Sequence, residues 1–327
     1  MDDAITLAHL SDAHIAPVPA IGLRHLNLKR GLGYLNWRRN RQGTHRRDAL
    51  DAIVADMQAQ NPDHIAITGD LINLGLPGEY AAAHDWLQSI GAPERVSLVP
   101  GNHDIYTTLR NDAGVARWAD YMASDVWGKA FAPDVVQCDR VTHRTTREVA
   151  RSLLFPFVRR VGPVALIGLN SAVETPPFVA AGELGGRQRE ALETLLPKLG
   201  AEGLIRVVLI HHPPLSQLAP VRRGLRDAPE LSRILARHGA ELVLHGHNHV
   251  DSEVLLPSFE PELGGVPVLG VGSSSMAHAH KNEPPGRYNL VRIGRDEDRR
   301  ARIAYTTRGL DEGGRVVPIA HREIASG

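Results

Sequence analysis

Asp, Asn and His gather in five short clusters, each where a hydrophobic run ends: Asp12-Ala13-His14, Gly69-Asp70, Gly101-Asn102-His103-Asp104, His211-His212 and His247-Asn248-His249. Together they offer the carboxylate, amide and imidazole donors of a two-metal hydrolytic centre. Any one cluster could be a turn or a helix cap. Five in succession, beside runs such as Ile65-Ala66-Ile67 and Val207-Val208-Leu209-Ile210, exceed what packing requires. In an extended backbone residues i and i+2 share a face, so Asp12 and His14 can clasp one ion, and His247 and His249 can reach one shared site. By the same alternation only one of His211 and His212 faces it. Asp70, with two oxygens, can bridge cations about 3.5–4 Å apart, and Asn102 adds a neutral carbonyl oxygen. Mixed nitrogen and oxygen donors without thiolate suit two divalent or mixed-valence transition ions (Mn, Fe, Zn or Co) rather than Mg or Ca, which prefer oxygen shells. His103 directly follows Asn102, so it should turn from the ions toward substrate, where a protonated imidazole can act as general acid. Asp104 is placed to orient it. His9, His25, His45, His64, His84 and His143 lack such partners and read as ordinary surface or core histidines.

For the clusters to meet, the runs before them must be strands whose ends lie together. Buried-strand patterns cover Ile5–Ser11, His64–Thr68, Arg95–Val99, Val164–Leu169, Arg206–Ile210 and Glu241–His245. Leu50, Ile53, Val54 and Met57 fall at i, i+3, i+4 and i+7, which predicts a helix closed by Asn61-Pro62. Leu192, Leu195, Leu196 and Leu199 repeat that spacing, as do Leu231, Ile234 and Leu235. Such alternation predicts an α/β fold with its site at strand ends. Runs at Val266–Val271, Tyr288–Ile293, Ala301–Thr307 and Val316–His321 carry no helix signal between them, and predict an antiparallel region at about 266–321. The stretch from about Asp104 to Pro163 has no clear period and reads as an insertion near the site.

Length and composition narrow the class. A chain of 327 residues is read as one domain, 1–327. Its 37 basic and 37 acidic residues cancel, so no stable nucleic-acid partner is expected. The lone Cys138 excludes an internal disulfide and Cys-pair metal sites. No basic-then-apolar leader precedes Ile5, and no uncharged apolar run approaches the roughly 20 residues that span a bilayer. A cytoplasmic location is the expectation.

One segment breaks the charge balance. Between His14 and Asp48 there is no acidic residue, while Arg24, Lys29, Arg30, Arg38, Arg39, Arg41, Arg46 and Arg47 interleave with Leu26, Leu28, Leu32, Tyr34, Leu35 and Trp37. This basic insert, at about 17–47, suits an anionic lipid head group, a nucleotide or peripheral contact with a membrane surface. Arg38, Arg39 and Arg41 are its candidate substrate contacts, and Arg222 and Arg223 are candidates to line the same pocket.

With Asp-X-His, Gly-Asp, Gly-Asn-His-Asp, His-His-Pro-Pro and Gly-His-Asn-His in this order, the chain resembles the calcineurin-like metallophosphoesterase superfamily from Asp12 to His249. The resemblance implies a four-layer α/β/β/α sandwich of two mixed sheets with helices outside. It also implies one ion held by Asp12, His14, Asp70 and His249, and another by Asp70, Asn102, His211 and His247. His211 is favoured over His212 because related families ligate through the His of a His-X-Pro spacing. His103 matches the family's catalytic histidine. Protein phosphatases of the superfamily carry an Asp-Arg pair soon after Gly-Asp; here the chain reads Gly69-Asp70-Leu71-Ile72-Asn73, closer to the cyclic-nucleotide and glycerophosphodiester phosphodiesterases. The expected reaction is hydrolysis of a small-molecule or lipid-linked phosphodiester by a metal-bridging hydroxide, with His103 as general acid. The alternatives are a pyrophosphatase acting on a nucleotide-linked lipid precursor and a nuclease, the latter opposed by the neutral net charge. A non-catalytic scaffold is disfavoured because every expected ligand is present.

Overall fold

Alternation along one strand shows the layering. In β6 (Ile205–Leu209), Ile205, Val207 and Leu209 join the apolar layer shared with the other sheet, whereas Val208, and Ile210 just beyond, join the layer beneath two helices. A strand buried on both faces belongs inside an α/β stack. The computed structural model describes residues 4–22, 25–107, 109, 112–131, 155–259 and 264–324.

The strands are β1 (Ile5–Leu10), β2 (His64–Ile67), β3 (Val96–Leu98), β4 (Phe157–Val161), β5 (Val164–Gly168), β6, β7 (Leu242–His245), β8 (Ser252–Pro257), β9 (Gly265–Gly270), β10 (Arg287–Arg295), β11 (Ala301–Leu310) and β12 (Val316–Ile324). They form two six-stranded mixed sheets, ordered β12-β11-β10-β1-β2-β3 and β4-β5-β6-β7-β9-β8. On the first lie α2 (Arg47–Ala59), through Leu50, Ile53 and Met57, and α3 (Pro77–Ile90), through Tyr80, Ala83 and Leu87. On the second lie α4 (Gly186–Ala201) and α5 (Ala228–His238), whose Leu192, Leu195, Leu196, Leu199, Leu231 and Leu235 form one apolar cluster. The helix α1 (Leu28–Asn36) runs into a π-helical turn, Trp37–Arg41, within the basic insert.

In the first sheet β1, β2 and β3 run parallel, and in the second β5, β6, β7 and β9 do. Their carboxyl ends therefore emerge together, and each predicted cluster follows one of them. That is where parallel α/β sheets place their sites.

The C-terminal expectation needs correction. Of its four runs only β10, β11 and β12 pair with one another, antiparallel, and β10 attaches them to β1. β9 instead joins the second sheet, parallel to β7 and antiparallel to β8. β4, β8, α1 and α3 were not anticipated. The region read as an insertion holds 3-10 turns at Gly114–Met122 and Gly128–Ala130 and then β4. Arg24, Cys138 and His143 lie outside the described residues.

One polar tie fastens a helix across the first sheet. Asp56 of α2 accepts hydrogen bonds from Tyr288 Oη of β10 at 2.6 Å, and from Arg308 Nε and Nη2 of β11 at 2.7 and 2.8 Å. Burial alone would raise the Asp56 carboxyl, but the bonds from Arg308 and Tyr288 outweigh it and hold the group below its ordinary 3.8. A carboxylate depressed in the fold contributes stability above its unfolded value and loses it as pH falls through the folded one. Asp56→Ala is expected to cost about 1.5–3 kcal/mol at neutral pH. The gap from wild type should shrink progressively below pH 3.8. Urea unfolding of both proteins across that range checks this, and a gap that does not shrink in acid would show that packing, not the ionised tie, is responsible.

Candidate metal centre

The donors reach one another because the backbone turns sharply as each strand ends. Asp12, His14, Asp70, His247 and His249 all have left-handed φ angles, of 53°, 37°, 56°, 70° and 57°. Such angles cost of order 1–3 kcal/mol each and collect at functional sites, and Asp and His tolerate them better than branched residues. The extended-chain argument for Asp12 with His14, and for His247 with His249, is thus corrected in its premise: tight turns bring these side chains inward, not strand alternation. The turns after β1 and β2 are zipped together by Asp12 N to Gly69 O at 2.9 Å, His14 N to Asp70 O at 3.0 Å and Ile15 N to Leu71 O at 2.8 Å. Two glycines permit the closest approaches. A Cβ on Gly101 would overlap the Asp70 carboxylate, and one on Gly246 would overlap Ser11 and Asp12.

Two of three donor groups share Asp70: Asp12, His14 and Asp70, beside which His249 stands, and Asp70, His211 and His247. In the first, His249 Nε2 stands 3.1 Å from Asp12 Oδ1 and 3.3 Å from His14 Nε2. In the second, His211 Nε2 lies 3.2 Å from Asn102 Oδ1, 3.2 Å from His247 Nδ1 and 3.4 Å from Asp70 Oδ2. His247 Nδ1 is 2.9 Å from Asn102 Oδ1. The outer nitrogens of three rings face groups that can only accept: His14 Nδ1 donates to Ile72 O at 3.1 Å, His211 Nδ1 to Thr68 O at 2.6 Å, and His249 Nδ1 to the Glu283 carboxylate at 3.0 Å. Their Nε2 atoms consequently point inward, at the carboxylate and amide oxygens and at one another. Asp12 Oδ1 is buried without a hydrogen bond. Donors bound to an ion at about 2.1 Å stand about 3.0 Å apart in an octahedron and about 3.4 Å apart in a tetrahedron, so these separations fit metal shells. Charge agrees with geometry. Burial disfavours a charge on His211 and His249, yet Asp70 beside one and Asp12 beside the other lift both to about 9. Each group calls for positive charge.

His211 is the member of its pair that joins the cluster. His212 packs behind it, with Nδ1 2.8 Å from Ser171 Oγ and Nε2 donating to Ala180 O at 3.1 Å. His9 and His64 are buried core histidines, bonded to Thr68 and Ser97. His45 departs from the ordinary role expected of it: its ring stands against those of His14 and His249.

His103 lines the cavity as expected, whereas Asp104 differs from expectation. The His103 ring is oriented by Asn73, whose carbonyl accepts from Nδ1 at 2.6 Å, while Nε2 accepts from Arg41 Nη1 at 3.1 Å. Burial lowers His103 and, with Arg41 beside it, outweighs the pull of Asp70, leaving it at about 4. The free enzyme therefore holds it neutral. Asp104 does not reach that ring. Its carboxylate accepts from the backbone N–H groups of Asp70 at 2.8 Å, Leu71 at 2.9 Å, Ile72 at 3.3 Å and Gly101 at 2.8 Å. It clamps the turns after β2 and β3 to each other.

Beside the donors opens a cavity of about 310 Å³, lined among others by Lys29, Leu32, Arg41, His103, Tyr106, Phe178 and Arg223. Arg41 and Arg223 line this cavity, and Arg223 Nη2 also donates to His247 O at 3.3 Å. Arg38, Arg39 and Arg222 are exposed and are not among the residues lining the cavity. Other cations of the insert have internal duties: Arg30 donates to Leu74 O, Gly75 O and His25 O, while Arg46 and Arg47 pair with Asp48 and Asp51. Lys29 donates to Tyr106 O and Thr175 O, both at 2.7 Å, and burial lowers it to about 8. Sequence reasoning missed Glu283 and His45 because neither sits at a predicted strand end.

Comparisons with known proteins agree with this geometry. The profile of the calcineurin-like phosphoesterase family matches residues 5–251. A probable cyclic nucleotide phosphodiesterase from Synechococcus sp. is 24% identical over 255 residues, 76% of this chain and 75% of that protein. Another, from Rhodococcus erythropolis, is 26% identical over 210 residues, 63% of this chain but only 57% of the relative. Among solved structures, a dimetal phosphatase from Danio rerio superposes with a TM-score of 0.58 at 14% identity, covering 97% of this chain and 98% of that one. A purple acid phosphatase from yellow lupin seeds gives 0.51 at 12% identity, covering 97% and 53%. At these identities the structural likeness speaks to the fold.

Because Asp70 serves both donor groups, its carboxylate should govern the whole centre. Asp70→Asn is expected to lose both ions on purification, whereas wild type retains two; elemental analysis decides. A variant with a full metal complement would refute the bridging assignment.

Proposed function

The chain belongs to the calcineurin-like phosphoesterase family, and from that premise we propose that it is a dinuclear metal-dependent phosphodiesterase. The observation that carries this reading is the cavity beside the donors. Lys29, Arg41 and Arg223 give it a cationic side, while Leu32, Pro177, Phe178 and Val179 give it an apolar one. A phosphodiester has an anionic centre and two organic arms, and such a cavity has room for an arm as well as for the phosphate. The two curated relatives, both named probable cyclic nucleotide phosphodiesterases, support the same bond class.

Two ions held by Asp12, His14, Asp70 and His249, and by Asp70, Asn102, His211 and His247, would acidify water and neutralise phosphoryl charge. The remaining steps belong to the side chains. Arg41 now donates to His103 Nε2. An entering phosphoryl oxygen can take that donor, which frees Nε2 and sets a negative charge beside it. Both changes favour the protonated ring. His103, oriented by Asn73 O, can then give its proton to the departing alcohol oxygen.

A second reading concerns the substrate's far end. Leu26, Leu28 and Leu35 of the insert are 54%, 74% and 50% exposed, and Phe178 at the cavity is 80% exposed. Apolar side chains displayed beside a cationic pocket suit a lipid-linked diester or pyrophosphate, and contact with a membrane surface.

The direct test is a hydrolysis panel with Mn: a bis-aryl phosphate, an aryl monophosphate, cyclic AMP, glycerophosphocholine and a UDP-linked lipid. Diester cleavage should exceed monoester cleavage in kcat/KM, and the reverse order would sink the proposal. His103→Ala should keep its metals and lose about 10²–10⁴-fold in kcat. Arg41→Ala should lower kcat/KM for diesters by roughly 10–100-fold, as loss of a charged contact to the reacting group does.

A further inference from the structure

The centre holds one more buried imidazole than the ligand set carried over from the family uses. His45 ends the basic insert and is only 3% exposed. Backbone bonds fasten it to the turn after β9: Arg46 N donates to Ser275 O at 2.9 Å, Ala277 N to Thr44 O at 2.8 Å, and His45 bridges Met276. Its ring meets those of His14 and His249 edge-on, with centroids 4.7 and 5.5 Å away and interplanar angles of 70° and 79°. One ring nitrogen from each of His14, His45 and His249 lies within 4.8 Å of the other two.

The neighbouring hydroxyls admit the tautomer protonated on Nδ1. Ser273 Oγ donates to Asp12 O at 2.6 Å, and Ser275 Oγ faces the same carbonyl at 3.5 Å. With their protons directed there, both hydroxyls can accept from His45 Nδ1, which is 2.9 Å from Ser275 Oγ and 3.4 Å from Ser273 Oγ. Nε2 is left with its lone pair, the form that binds a transition metal. His212 likewise stands against two imidazoles, but both of its ring nitrogens are engaged, with Ser171 Oγ and Ala180 O, whereas the His45 ring meets the two serines through Nδ1.

We propose that His45 is a further nitrogen donor to the ion held by Asp12, His14, Asp70 and His249, an inference that rests on the dinuclear reading of the site. That ion then has three imidazoles and two carboxylates from the protein. The other has two imidazoles, one carboxylate and one amide. The nitrogen-richer shell favours later ions such as Co, Fe or Zn over Mn, so the two positions differ in metal preference, and the first has fewer places left for a substrate oxygen.

The test uses the full chain loaded with Co²⁺, as wild type, His45→Ala and His45→Gln. Gln keeps a polar partner for Ser275 should Ala disturb the fold. Competition with a chelator should strip one ion from either variant at concentrations that leave wild type with two, its affinity falling about 100-fold. The Co²⁺ ligand-field absorption should change with the lost nitrogen, while the metal-free proteins unfold at similar temperatures. An unchanged Co²⁺ spectrum in both variants, whatever the affinity, overturns the proposal and leaves the dinuclear reading standing. A wild-type protein that binds fewer than two ions overturns both.

Discussion

Buried imidazole nitrogens and carboxylate and amide oxygens crowded to 2.9–3.4 Å are the constraint to which the rest of this structure answers. Left without positive charge, imidazole nitrogens and carboxylate oxygens at such distances repel in a medium that screens poorly. Everything around them resists their separation. The sheets supply parallel strands that end together, the turns accept left-handed angles, and the Asp104 carboxylate gathers four N–H groups so that two of those turns cannot part. Asp104 is itself under tension, since burial and the charge of Asp70 push it up to about 7 against the pull of those donors. Backbone strain and electrostatic repulsion are thus concentrated in one place and held there by the packing of two apolar layers.

What could be read in the sequence was what local chemistry fixes. Strands buried on both faces announce themselves as continuous apolar runs, and Leu192, Leu195, Leu196 and Leu199 mark the buried stripe of α4 without outside help. Donor types at strand ends pointed to the metal centre for the same reason. Pairing partners are not local, which is why β9 was placed with β10 to β12 instead of beside β7. β8 alternates between half-buried and exposed side chains, and α3 begins with Pro-Gly, so neither gave a strong period. The insert reads as uniformly cationic. Only packing reveals that Arg30 is a backbone clamp, that Arg41 lies against His103, and that Arg38 and Arg39 face outward.

His103 shows how one such contact alters chemistry. The residue was identifiable from its place after Asn102, but its protonation was not, because that depends on a guanidinium delivered by the π-helical turn at Trp37–Arg41. The extra residue that a π turn admits often marks functional positions. Here it sets Arg41 against His103 and leaves Arg38 and Arg39 in solvent. Through Arg41 the insert contributes to the site's electrostatics.

The donors to each ion come from both sheets. His14 and His249 are separated by 235 positions in the chain yet meet at 3.3 Å. An ion between them closes a long covalent loop, much as a disulfide does, and such closures restrict the unfolded chain more the longer the loop. Neither sheet alone assembles a complete shell. A complete shell requires both halves to have docked, so a fully held ion would report that the sandwich has been assembled.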